Sequence, residues 1–177
     1  MRPPTRLTDG VVALRPLAEG DRDAVLETMR DELAQRWLNM PAKPRPSDFA
    51  TLLRTAREGA ASGERFDLAV TRVEDDVAVG AVIASRRVRD NYELAYVAGP
   101  HGRGEGLVSR GVRLVCDWLF SQGVGRLEVR THPDNVASQR VAERCGFVRE
   151  GRERASIWLH GRREDALVWS LLPGDPL

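Results

Sequence analysis

Lysine is almost missing from this 177-residue chain: Lys43 stands alone, and all the other basic residues, of 27 in total, are arginine. That scarcity removes one class of nucleotide site, because a Walker-type loop ends in Gly-Lys-Ser/Thr and Lys43 lies between Ala42 and Pro44. Cysteine is scarce too. Cys116 and Cys145 form no CxxC or Cys/His spacing, so neither a zinc cluster nor a disulfide framework is expected. Both read as buried thiols in a reducing compartment. No apolar run approaches the roughly 20 residues that span a bilayer, and residues 1–6 are followed by no stretch that could act as a secretory signal. The expectation is a cytoplasmic protein with no membrane partner. Acidic residues number 26 and the net charge is +1, with both signs interspersed; a nucleic-acid-binding stripe is therefore not expected.

With 42% hydrophobic and 30% charged residues, the composition is that of a folded globular domain, and the length suits one core. A strand is predicted over residues 11–17. Asp21 caps a helix with Val25, Met29 and Leu33 at helical spacing, ending before Pro41. Ser47 opens a second helix, carrying Phe49, Leu52, Leu53 and Ala56 on one face. From Phe66 the period changes to two, giving strands at 66–71, 77–85 and 92–97. A glycine-rich turn at 99–106 leads into a helix with Val108, Val112, Val115 and Leu119 on its buried face, stopped by Gly123. A strand follows at 126–131, then a helix from Asn135 to Gly146, and two strands at 147–159 and 164–172 turning at His160-Gly161. Three consecutive strands before a crossover imply an α/β fold of the α+β kind: one mixed, mostly antiparallel sheet with helices on both faces. The domain is expected over 11–173, between tails at 1–10 and 174–177.

The strongest chemical signal is the sequence strand, glycine-rich turn, helix. A helix start leaves four backbone N–H groups without partners and adds about half a positive charge. Glycines at 102, 104 and 106 let main chain approach an anion closely. A dinucleotide fingerprint fits poorly, because the positions where it needs its last glycine hold Leu107 or Ser109. Arg103, Arg110, Arg140 and Arg144 are candidate phosphate partners.

Arg103-Gly104-Glu105-Gly106 before a helix, then Asn135, Ser138, Gly146-Phe147 and Glu150-Gly151 in that order, resembles the GNAT superfamily of N-acetyltransferases. Leu14-Arg15-Pro16-Leu17, Glu93-Leu94-Ala95-Tyr96 and Asp165 before Leu171-Leu172 resemble its RimJ/RimL-like branch, so the likeness spans nearly the whole chain. The resemblance implies acetyl-CoA, or another short acyl-CoA, as co-substrate and no metal. It implies that amides from Gly102 through Arg103, Gly104, Glu105 and Gly106 to Leu107 hold the pyrophosphate. Main chain of Tyr96, Val97 and Ala98 would pair with the pantetheine, with Asn135 and Ser138 beside it. It also implies an amine-bearing small molecule or a protein N-terminus as acceptor, and places acceptor contacts near Trp37, for which a core or packing role is the alternative. The oligomeric state stays open, a homodimer included. Two departures stand out. His101 occupies the position where the family turn begins with Gln or Arg, and Ala142 occupies the position where many members carry a tyrosine that protonates the leaving thiolate.

Glu93 is the candidate general base, on the same strand face as Ala95 and Val97, with a salt bridge as its alternative role. Asp165 is a second candidate base, or an acceptor contact, against a structural ion pair. Ser138 could donate to the leaving sulfur or cap its own helix. A backbone N–H near Val97 is the expected oxyanion donor. The rival functions are a noncatalytic acyl-CoA-binding module and a nucleotide-dependent oxidoreductase.

Overall fold

The computed structural model describes residues 1–175, and β-structure starts earlier than the sequence pattern suggests. Leu7–Thr8 (β1) pairs antiparallel with Val12–Pro16 (β2), so the expected tail at 1–10 contributes a strand. Two residues are too few to show a period of two. The expected tail at 174–177 lies partly outside the described residues; the Asp175 carboxylate accepts from the Leu172 N–H at 2.9 Å.

The single helix expected after Asp21 is in fact two, α1 (Arg22–Arg30) and α2 (Glu32–Trp37). Asp31 breaks the run: its backbone is extended, with ψ 128°, and its carboxylate accepts from the Ala34 N–H. The same residue ends one helix and caps the next. Helix α3 (Pro46–Ser62) starts with proline at its first position, where no N–H is needed, and closes on left-handed Gly63.

Strands β3 (Arg65–Arg72), β4 (Ala78–Val88) and β5 (Asn91–Ala98) follow, then helix α4 (Leu107–Ser121), strand β6 (Arg126–Thr131), helix α5 (Val136–Arg144), and strands β7 (Val148–Leu159) and β8 (Arg162–Leu171). One eight-stranded sheet results, in the order β1-β2-β3-β4-β5-β6-β8-β7. Among the described residues β5 and β6 are the parallel pair, and the other neighbours are antiparallel. The mixed sheet agrees with the α/β expectation.

Alternation sorts the two faces. Phe66, Leu68 and Val70 join Val112, Val115 and Leu119 of α4 in the main core, and the Phe66 ring meets Trp118 edge-on at 5.1 Å. Each such side chain contributes about 1.5–3 kcal/mol on leaving water. The opposite face of β3 and β4 lies under α3 and α1, where Leu26, Phe49 and Leu53 form a smaller core. Farther across, the sheet carries a ladder of opposite charges. Glu93 pairs with Arg87 at 3.3 Å and with Arg130 at 3.1 Å, while Arg130 also reaches Glu128 at 3.2 Å and Glu153 at 3.1 Å.

Candidate active site

The site is a split in the sheet. Parallel pairing of β5 with β6 ends at Leu94 opposite Val129, whereas β5 stays paired with β4 as far as Ala98 opposite Gly80. Residues 95–98 therefore have a neighbour on one side only. The Gly99 N–H donates to Val79 O at 2.9 Å, which fixes the phase of the β4–β5 ladder. Ala95 and Val97 aim their N–H and C=O groups at β4; Tyr96 and Ala98 aim theirs at the open edge. The Val97 amide is committed to the sheet, so the available donors flank it. Such main-chain groups require a partner.

The open edge runs into the glycine turn, whose three glycines do different jobs. A Cβ on Gly102 would lie 2.2 Å from Val79 O, so this position serves close packing against β4. Gly104 and Gly106 have φ of +81° and +74°, a region that glycine alone enters cheaply, and a Cβ on either would meet nothing within 4 Å. Gly106 is the N-cap of α4 and supplies no side-chain acceptor, which leaves the first turn from Leu107 onward aimed at open space. A concave, uncapped, positively polarised main chain fits a phosphate.

The arginines around the turn are occupied by carboxylates. Arg103 forks onto Asp31, with one arm at 3.1 Å, and also reaches Ala98 O at 3.4 Å. Its guanidinium holds Asp31 below the usual carboxylate range. Arg72 donates to Glu105 at 2.9 Å and to His101 O at 3.0 Å. Arg110 donates to Asp9 at 2.7 Å. His101 Nε2 lies 3.0 Å from Glu27, with both side chains largely exposed, a pairing worth little. Arg140 and Arg144 are exposed on α5.

Across the split, the Asn135 side chain accepts from the Ser138 N–H at 3.2 Å and so caps α5. The Ser138 hydroxyl points the other way. It donates to the Tyr96 hydroxyl at 3.2 Å, and Tyr96 donates to Ser138 O at 2.7 Å. Burial pushes the Tyr96 phenol above its ordinary value, so it stays protonated. The sequence points only to the main chain of Tyr96; this hydroxyl is not legible there, because its partner is 42 residues away. Ala142 is fully buried. Burial also pushes the Cys145 thiol up to about 11, which keeps it a thiol rather than a nucleophilic thiolate.

Glu93 faces the opposite side of the sheet from Leu94, as expected, and its Oε2 carries both arginine contacts. Asp165 is tied into the β7–β8 hairpin. One oxygen accepts from the Ala155 N–H at 2.8 Å and the other from Arg152 at 2.7 Å, and these two bonds hold it below the carboxylate range. Alternation along β8 puts Asp165 on the face opposite Glu93, away from a base's place. Trp37, at the end of α2, lies against His132 with ring centroids 5.1 Å apart and the ring planes tilted by 39°. His132 Nδ1 accepts from the Asp134 N–H at 3.0 Å, which leaves the proton on Nε2, 3.9 Å from Glu164. A lone His just past β6 and a lone Glu in β8 carry no spacing signal, so this wall was not legible beforehand.

The sequence profile described as "Acetyltransferase (GNAT) domain" matches residues 12–148. YjcK of Bacillus subtilis, named as a probable N-acetyltransferase, is 29% identical over 116 residues, which is 63% of this chain. The match spans 64% of YjcK's own length. The ribosomal-protein-S5-alanine acetyltransferase of Vibrio fischeri superposes with a TM-score of 0.83 at 21% identity, covering 96% of this chain and 97% of that one. RimJ of Mycobacterium smegmatis, solved with CoA-disulfide, gives 0.86 at 19% identity, covering 98% and 90%. At such identities the structures show a shared fold, while the profile spans the split strand, the turn and α5. The chain belongs to the GNAT acetyltransferase family, a family of acyl-CoA-dependent N-acyltransferases.

Proposed function

We propose that the chain transfers an acetyl or similarly short acyl group from acyl-CoA to an amine of low pKa, such as a peptide or protein N-terminus, by direct attack in a ternary complex. The observation that carries this reading is the open edge of β5 running into the Gly104–Gly106 turn. Gly104, Gly106 and the amides from Leu107 would hold the pyrophosphate; Tyr96 and Ala98 would pair with the pantetheine as with an added strand. Bound acyl-CoA supplies a carbonyl with a good leaving group. The chain's own part is to position that carbonyl, present an N–H to its oxygen and manage two protons.

Distance decides how the first proton leaves. Strand rise of about 3.3 Å per residue puts Glu93 roughly 10 Å from Tyr96 and 17 Å from Ala98 along β5. Glu93 therefore acts through water, with Oε1 as the oxygen its arginines leave available. The departing sulfur would accept a hydrogen bond from the Ser138 hydroxyl, once that hydroxyl turns from the Tyr96 oxygen, and would take its proton from the one released by the amine, by way of solvent. A thiolate, with conjugate pKa of about 8.5, needs little help. An α-amine of pKa ~8 is roughly a tenth neutral at pH 7, and a lysine below about 0.1%. A remote, water-relayed base suits the former.

Thermal shift with acetyl-CoA, succinyl-CoA and NAD, followed by mass-detected transfer onto a library of amines and peptides, tests the reading. Stabilisation by acetyl-CoA with transfer to N-terminal amines supports it. Stabilisation without turnover on any amine favours a binding module, and stabilisation by NAD alone a nucleotide enzyme.

A further inference from the structure

A cavity of about 170 Å³ lies over the α1-side face of β3–β5, and the chemistry above leaves it unused. Its floor is an alanine pavement. Ala69 and Ala81 face each other in register, Val97 follows opposite Ala81, and Ala95 lies beside them. Val25 and Met29 of α1, with Met40, form the roof. The polar groups at its walls are already engaged: Thr28 Oγ donates to Ala24 O at 2.9 Å, and Asp67 takes two bonds from Arg65 at 2.7 Å. These groups offer only leftover lone pairs, so a polar guest would gain little there, and an apolar one would lose nothing.

We propose that this cavity receives an apolar side chain of the amine acceptor, branched aliphatic or phenyl in size; the inference rests on the acyltransferase reading above. A dry apolar cavity of roughly 150 Å³ admits benzene, so the volume is right for such a group. Direction of attack assigns it to the acceptor. A thioester that continues along β5 and accepts from its edge N–H groups lies in the plane of the sheet, because donors sit near the carbonyl plane. The amine must then approach from one face or the other. Tyr96 and Ser138, backed by α5, close one face. The other face carries the cavity, whose floor includes Ala95 and Val97 of the same strand. The acceptor thus arrives with its substituent directed between α1 and the alanines.

The test uses the full chain, acetyl-CoA, and peptides differing only in an N-terminal glycine, serine, leucine, phenylalanine or tryptophan. The expected result is a kcat/KM for leucine or phenylalanine about tenfold or more above glycine and serine, the discrimination a filled apolar pocket provides. Ala81→Leu should bring that ratio close to one, and Met29→Ala should shift the preference toward tryptophan. As a readout apart from turnover, calorimetry in the presence of CoA should show the N-acetylated phenylalanine peptide binding more weakly to Ala81→Leu by a similar factor. If Ala81→Leu does not fold, the Met29→Ala arm decides. Equal kcat/KM across the series overturns the inference alone. So does a preference for butyryl-CoA over acetyl-CoA that Ala81→Leu abolishes, since the cavity would then serve the acyl chain. No stabilisation by acetyl-CoA and no transfer to any amine overturns the acyltransferase reading and this inference together.

Discussion

Tyr96 and Ser138 exchange two hydrogen bonds across the split in the sheet: the phenol donates to Ser138 O at 2.7 Å and receives the Ser138 hydroxyl at 3.2 Å. One member lies on β5 and the other on the first turn of α5. If Ser138 donates a hydrogen bond to the departing sulfur, Ser138→Ala lowers kcat by about tenfold, below the 10²–10⁴ of a full general acid, because a thiolate leaves easily. Tyr96→Phe should lower kcat in step and cost about 1 kcal/mol of stability. The double variant should be no slower than the worse single one, as residues acting as a unit require. Unchanged kcat in Ser138→Ala would reduce the pair to a strut.

Glu93→Gln keeps the side chain's size and removes its capacity to take a proton. Turnover at pH 7 should fall by about 10²–10⁴, with acetyl-CoA affinity unaltered. The loss should shrink as pH rises toward the acceptor's pKa, where the amine is already neutral. Stability should move little, since Arg87 and Arg130 contact a carboxylate that is partly in water. Full activity at pH 7 would remove Glu93 from the reaction.

The glycines separate packing from binding. Gly102→Ala sets a Cβ against Val79 O and should destabilise the fold by about 2 kcal/mol or more. Gly106→Val meets open space, so its damage comes from φ of +74° and from the anion it would obstruct. It should melt within a few degrees of the parent and lose its stabilisation by acetyl-CoA. A Gly106→Val variant that binds acetyl-CoA normally would show that the turn is no cradle.

Arg103 holds Asp31 below its ordinary 3.8 in the folded protein. A depressed carboxylate contributes stability that is fully present above the unfolded value and is lost as pH falls through the folded one. Asp31→Asn retains a side chain able to cap α2 and removes the charge. Its melting temperature should lie below the parent's at pH 7, and the gap should close as pH drops below about 3.8. A gap that persists at low pH would mean that the cap, not the ion pair, is at stake.

The strands are legible because alternation and turn residues are local: the strand predicted at 126–131 coincides with β6. The break at Asp31 was not, since Val25, Met29 and Leu33 hold one helical period straight through it. What bends the chain there is the Asp31 carboxylate, claimed by the Ala34 N–H and by Arg103, 72 residues on. The site divides in the same way. The Gly104–Gly106 turn and the Asn135–Ser138 helix start are written in contiguous residues. The Tyr96 hydroxyl, the Trp37–His132 wall and the cavity depend on partners that only the sheet brings together.

The split edge of β5 has an evolutionary consequence. Its donors and acceptors at Tyr96 and Ala98, like those of the turn after Ala98, belong to the main chain, and no replacement short of proline removes one. Mutation can rewrite nearly every letter around the opening, provided that the strands still part after Leu94 and the glycines keep their left-handed turns. A scaffold of this kind is inherited as a path of the backbone rather than as a spelling. That is how chains sharing about one residue in five retain one shape, and, on the inference drawn for the cavity, it leaves Ala69, Ala81 and their neighbours at liberty to change which amine comes in.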